Sequence, residues 1–151
     1  MDIWIHAIAS AIIAAVLFPF FGAWSLLVFV GGVLIDADHV IWYYTRKGYF
    51  DLKATYHYSK NISKYKNVRE YSEAVMIFHT FDVFAAVLIM SIIYNPIVMV
   101  LIGLFFHLIL DYIEIYREFK KPLFLTMFRK SSIIFFIKLA LGKDNYRHYF
   151  S

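Results

Sequence analysis

The chain has 151 residues, 62% of them hydrophobic and 21% aromatic, with 15 Lys and Arg against 11 Asp and Glu for a net charge of +4. A mean hydropathy of +0.64 lies well above the soluble norm and points to one membrane-embedded domain over 1–151. The absence of cysteine excludes disulfides and thiolate ligands, so any metal site must be built from His, Asp, Glu and carbonyl oxygens.

The first apolar segment is predicted over about 3–18 and ends at Pro19, before an uncharged turn, FPFFGA. It carries Asp2 instead of basic residues ahead of the apolar run and His6 within it, and is read as a retained helix, not a secretory signal. A second segment covers 23–44, and a basic connection follows over 45–72. That connection exceeds the roughly 12 to 15 residues at which unstructured loops become unusual, which predicts a partly helical segment or a lid. The third segment runs over 73–94 from Glu73, the dipeptide Asn95-Pro96 makes a tight turn, and the fourth segment runs over 97–116. In the basic, aromatic tail, 117–151, the stretch SSIIFFIKLALG is too short to span and is predicted to lie in the interface or to pack on the bundle. The predicted fold class is therefore all-α: an integral membrane bundle of four transmembrane helices plus a short interfacial C-terminal helix.

Charge gives this bundle a direction. Seven of the fifteen basic residues fall in 45–72 and the other eight lie beyond Tyr116, whereas the two short turns carry none. With four crossings all fifteen share one side, which predicts an inner-membrane protein with both termini cytoplasmic. Trp4, Trp42, Tyr43 and Tyr44, near segment ends, suit an aromatic belt, and Glu73, Glu114, Glu118, His57 and His148 read as interfacial or solvated charges.

The ionisable residues inside the segments converge. His6 lies near the start of the first segment, Asp36, Asp38 and His39 near the end of the second, His79 and Asp82 near the start of the third, and His107 and Asp111 near the end of the fourth. At about 1.5 Å per residue all of them fall within roughly 5 to 14 Å of the same membrane surface. Conversely, 7–35 and 83–106 hold no His, Asp, Glu, Lys or Arg, so the opposite half is apolar. Three segments place a His and an Asp three or four residues apart, hence on one helix face: Asp36 with His39, His79 with Asp82, His107 with Asp111. Asp38 lies about 160° from Asp36 on a regular helix and joins the layer only where that helix unwinds, which Gly31-Gly32 would permit. Inward-facing His and carboxylate pairs on neighbouring helices are how helical bundles build binuclear metal sites. The candidate ligands are His6, Asp36, Asp38, His39, His79, Asp82, His107 and Asp111.

On these residues the chain resembles the predicted membrane-bound metal-dependent hydrolases, a bacterial and archaeal family of small inner-membrane proteins. The matching features are His6, the stretch GGVLIDADH, the FHTFD that opens the third segment, and HLILD near the end of the fourth, together covering roughly 1–116. The chain departs from the threonine-histidine-serine signature of many relatives, having Phe78-His79-Thr80, and adds Asp82. The resemblance implies that His6, Asp36, Asp38, His39, His79, His107 and Asp111 are metal ligands or active-site residues.

The expected function is metal-dependent hydrolysis of a phosphoester at the cytoplasmic membrane surface. One or two divalent ions, Zn first with Mn or Fe(II) as alternatives, would activate water without a Ser or Cys nucleophile. Asp38 or Asp82, where not a ligand, would orient the water or shuttle its proton. Expected partners are membrane lipids, an anionic lipid or lipid phosphate drawn by the basic side, and a second copy of the chain in a homo-oligomer, with no nucleic acid. The alternatives are a metal-binding transporter and a metal-stabilised scaffold; a transporter should carry polar groups through both halves of the membrane, and one half here lacks them.

Overall fold

A computed structural model describes residues 3–64, 76–121, 128, 130–134 and 137. Among the described residues the regular structure is helical throughout: α1 (Ile3–Phe21), α2 (Val28–Gly32), α3 (Ala37–Lys47), α4 (Leu52–Lys64), α5 (Phe81–Ile93) and α6 (Ile97–Phe119), with short 3-10 turns at Gly22–Leu27, Leu34–Asp36 and Ile77–His79.

The first helix shows how sequence becomes placement. His6, Ser10 and Ala14, each four residues apart, form its buried stripe. Trp4, Ile8, Ile12, Val16 and Phe20 form a second stripe, each at least 60% exposed. In water so continuous an apolar face would be an aggregation surface, whereas in lipid it needs no partner. Two helical stretches, Ile3–Tyr44 and Ile97–Phe119, contain windows long and apolar enough to cross a membrane, with mean hydropathies of 2.3 and 2.1. The apolar α5 has 13 residues and is shorter than a span.

Three predicted boundaries change. Pro19 lies inside α1, which continues to Phe21. A helix tolerates the fixed φ of proline at the cost of one hydrogen bond to the carbonyl four residues back, and the reversal falls instead at Gly22, whose φ is +55°. The predicted helix over 23–44 is interrupted: α2 ends at Gly32, Val33 takes φ −132° and ψ −48°, and a 3-10 turn over Leu34–Asp36 leads into α3. Among its described residues the third segment becomes α-helical only from Phe81, because Met76 and Thr80 are extended on either side of the 3-10 turn. Its predicted start, including Glu73, lies outside the described residues, as do His148 and much of the predicted interfacial stretch 131–142. The Asn95-Pro96 reversal is tight, closed by Ile97 N donating to Tyr94 O at 3.0 Å.

The basic connection contains α4, capped by Asp51, whose Oδ1 accepts from Ala54 N at 2.8 Å. This helix folds back on α3 so that Tyr58 packs against Trp42 and Tyr43. Trp42 and Tyr43 are consequently buried, unlike the belt predicted for them, while Trp4 and Tyr44 are exposed.

Glycine lets the helices that carry the site touch backbone to backbone. A Cβ on Gly103 of α6 would run into the Val28 carbonyl oxygen, and one on Gly31 of α2 into the Val100 carbonyl oxygen. A Cβ on Gly32 would first meet the Ser10 hydroxyl of α1, with Ser10 Cβ at 3.3 Å and the Gly103 carbonyl oxygen at 3.7 Å beyond it. The three helices thus close around Gly31, Gly32 and Gly103, one turn from His107.

Candidate metal centre

Helix α6 is the spine of the site. His107 and Asp111, one turn apart on its buried face, bring Nε2 and Oδ2 to 3.4 Å. The stripe of α1 delivers His6, whose ring stacks on His107 with centroids 4.0 Å apart and whose Nε2 lies 3.3 Å from Asp111 Oδ1. The 3-10 turn before α5 delivers His79, its Nε2 2.9 Å from His107 Nε2 and 3.0 Å from Asp111 Oδ2. The interrupted second segment delivers Asp36, Asp38 and His39.

Hydrogen bonds at the far nitrogens fix the tautomers. His107 Nδ1 lies 3.0 Å from the carbonyl oxygen of Gly32, which can only accept, so Nδ1 carries the hydrogen. His79 Nδ1 lies 2.9 Å from Asp38 Oδ2, an oxygen that also accepts from Phe78 N at 3.1 Å. In the neutral rings both Nε2 atoms therefore present lone pairs to each other across 2.9 Å. Asp111 Oδ2 adds a third acceptor, and Asp36 Oδ1, 3.6 Å from His107 Nε2 and 4.0 Å from His79 Nε2, a fourth. Asp36 Oδ1 and Asp111 Oδ1 are buried and accept no hydrogen bond among the described residues.

Four acceptors facing one another without a donor require a cation between them, either a proton on a ring or a metal ion. Two nitrogens bound to one ion at about 2.0–2.1 Å stand about 3 Å apart, near the observed separation. A hydrogen-bonded far nitrogen is also the usual setting of a metal-bound histidine, with a carboxylate or backbone carbonyl holding the ring. Two groups could hold an ion: His6, His107 and Asp111, and Asp36, His79 and His107, with the ligand atoms of each group within 4.8 Å of one another. His107 belongs to both.

The structure brings together seven of the eight sequence candidates, in different roles. Asp38 is buried and its oxygens are engaged, Oδ2 as above and Oδ1 at 3.1 Å from His39 Nδ1. Its two carboxylate oxygens thus brace the His39 and His79 rings. His39, 24% exposed in its side chain, and Asp36, 12% exposed, form the rim, with 3.4 Å between Nδ1 and Oδ1. Asp82 is not part of the group. Its Oδ2 accepts from Ser131 Oγ at 3.0 Å and Ile133 N at 2.9 Å, and its Oδ1 from Val83 N at 3.1 Å, because Thr80 is extended and breaks the helical register that would have paired it with His79. The Gly32 carbonyl has no signature in sequence, since any residue there would supply one.

Comparison with protein-family models, with curated proteins and with solved structures finds no match to the chain. The residues therefore carry the functional reading by their geometry.

The brace has a measurable consequence. Asp38→Ala removes the acceptor that keeps the hydrogen on His79 Nδ1, and the expected result is a loss of metal affinity of about 10- to 100-fold, the usual effect of deleting such a partner. Competition titration with a chromogenic chelator reads it; unchanged affinity would contradict the assignment.

Proposed function

We propose that the chain is a membrane-embedded metal-dependent hydrolase that acts at the cytoplasmic membrane surface on a phosphoester of an anionic amphiphile. The observation that carries this reading is the 2.9 Å approach of the Nε2 atoms of His79 and His107, whose far nitrogens meet Asp38 and the Gly32 carbonyl, beside Asp111 and Asp36. The likeness of GGVLIDADH, FHTFD and HLILD to the membrane-bound metal-dependent hydrolases supports it from the sequence side.

In this reading the chain crosses the membrane four times, through α1, the return over 23–44, the segment containing α5, and α6, with the basic connection and tail inside. Exposed apolar stripes support lipid contact, and the absence of charge from 7–35 and 83–106 supports a site that opens to one side only.

His6, His79, His107, Asp36 and Asp111 would hold one or two ions, and the mixed imidazole and carboxylate set suits Zn, Mn or Fe(II) better than Mg or Ca. Bound there, the metal would lower the pKa of water and polarise the attacked phosphoryl group. The protein's own groups do the rest. Asp38 fixes the His79 ring, His39 at the rim would take the proton of the attacking water and return it to the leaving oxygen of the ester, and the basic residues on that side draw an anionic substrate to the surface.

The test is hydrolysis by detergent-purified protein loaded separately with Zn, Mn and Fe(II), using phosphatidic acid micelles and a soluble aryl phosphate. Chelator-sensitive phosphate release that disappears in Asp111→Ala and His39→Ala is the expected result. Release from neither substrate above the Asp111→Ala background would sink the hydrolase reading.

A further inference from the structure

The turn that carries His79 is held from two sides, and only one of them is the site. Ile77–Thr80 lacks the support of a continuous helix: Met76 and Thr80 are extended, and the internal backbone bond is His79 N to Met76 O at 3.1 Å. Asp38 grips it from the metal side. From the other side comes a segment of the tail.

Ser132, itself buried, places Oγ 2.6 Å from the Ile77 carbonyl oxygen and 2.7 Å from Thr80 Oγ1, which lies 2.9 Å from the same carbonyl. Two hydroxyl hydrogens are available for these three contacts, so at most two of them are hydrogen bonds at one time. Ser131 Oγ and Ile133 N both donate to Asp82 Oδ2, at 3.0 and 2.9 Å, which ties the same tail segment to the first turn of α5. Four polar contacts of 2.6 to 3.0 Å thus bridge about fifty positions of sequence to reach Ile77, Thr80 and Asp82 around His79, none of them to His79 itself.

We propose that Ser131, Ser132, Thr80 and Asp82 form a clamp that positions His79, so that the tail sets the metal affinity of a centre it does not touch. The proposal rests on the metal-site reading above. A ligand must be held within about 0.5 Å of its working geometry, and a turn without helical bonding cannot supply that alone. Asp82 is then a positioning residue whose oxygen matters as an acceptor, while its charge is dispensable.

Asp82→Asn keeps a carbonyl oxygen for Ser131 and Ile133 but removes the carboxylate a ligand or base would need, and so separates the two roles. Ser132→Ala and Asp82→Ala break the clamp. Ser91→Ala, which removes a serine bond to the Leu88 carbonyl at the other end of α5, is the control. Two readouts apply to the full-length protein in detergent: Zn affinity with the visible spectrum of the Co(II) form, and carbethoxylation of His79 in metal-free protein by mass spectrometry.

The expected result is a loss of affinity of about 10- to 100-fold and a changed Co(II) spectrum in both alanine variants, as for other supports of a ligand. His79 is modified faster in those two variants, Ser91→Ala matches wild type in both readouts, and Asp82→Asn, which keeps one acceptor for Ser131 and Ile133, is affected much less than Asp82→Ala. Wild-type affinity, spectrum and protection in Ser132→Ala and Asp82→Ala overturn the clamp, as does an Asp82→Asn variant as damaged as Asp82→Ala. Should wild type take up no metal, the functional reading fails, and the protection of His79 still decides the clamp.

Discussion

His107→Ala is expected to abolish metal retention altogether, a larger loss than any other single substitution in the site. His107 belongs to both candidate groups, so its removal takes a ligand from each. The effect should exceed the roughly 10- to 100-fold that loss of a bracing partner brings. The same change takes the hydrogen-bond donor from the Gly32 carbonyl and the stacking partner from His6, so some loss of stability accompanies it. His57→Ala supplies the control, since His57 lies exposed on α4 beside Tyr56 and outside the group. Metal content after gel filtration distinguishes the two variants. A His107→Ala protein that keeps the wild-type metal content would show that the ions, if present, are held elsewhere.

The second large effect is structural. Gly103→Ala is expected to lower the melting temperature sharply, because its Cβ would meet the Val28 carbonyl oxygen and lie 2.9 Å from Gly32 N and 3.0 Å from Val28 C. All three obstacles are backbone, and backbone cannot rotate aside. Overpacking of this kind costs about 1 to 3 kcal/mol and occasionally more, and here the upper end applies because α2 and α6 must separate. Gly31→Ala should behave alike, since it faces Val100 O and Leu104 N. Gly32→Ala should be milder, because the first atom it meets is the side-chain hydroxyl of Ser10, which has other rotamers. Thermal unfolding in detergent should rank Gly103 and Gly31 below Gly32, and equal melting temperatures for all three variants and wild type would contradict the close approach. Separating α2 from α6 also pulls the Gly32 carbonyl from His107, so Gly103→Ala should weaken metal binding at temperatures where the fold survives.

The helical period read two of the site's pairings well. His107 and Asp111 lie on one unbroken helix and meet as a three-to-four spacing requires. Asp36 and His39 also meet, although the first ends a 3-10 turn and the second begins an α-helix. The same reasoning misplaced Asp82, because its pairing with His79 assumed a continuous helix where the backbone is extended at Thr80. Asp38 was legible only conditionally. The interruption that the sequence left open falls at Val33, one residue beyond the glycines, and Gly31 and Gly32 are helical there, serving close approach to neighbouring helices and not a special backbone angle. Asp36 and Asp38 both belong to the group without sharing a face, since the His79 ring stands between them and offers each a different nitrogen.

The fold divides along the same line. Composition and the long apolar runs made the all-helical class and membrane-length segments plain, because both follow from local hydropathy. What hydropathy does not encode is where a helix is interrupted by a neighbour's needs. The reversal at Gly22 in place of Pro19, the break at Val33 and the docking of Ser131–Ser132 on the His79 turn all depend on tertiary contacts. For the tail, packing on the bundle was one of two options, but a pair of serines ahead of an apolar run carries no sign of which distant carbonyl or carboxylate it will meet.

The central claim is that the acceptors around His79 and His107 are arranged for a metal ion. Metal analysis of detergent-purified wild-type protein, beside Asp111→Ala purified in parallel, tests it most directly. The account predicts one or two equivalents of a transition metal in the wild type and loss of most of it in the variant. Wild-type protein with no transition metal above background, before and after incubation with Zn, Mn or Fe(II), would contradict it and leave a proton as the cation between the two rings.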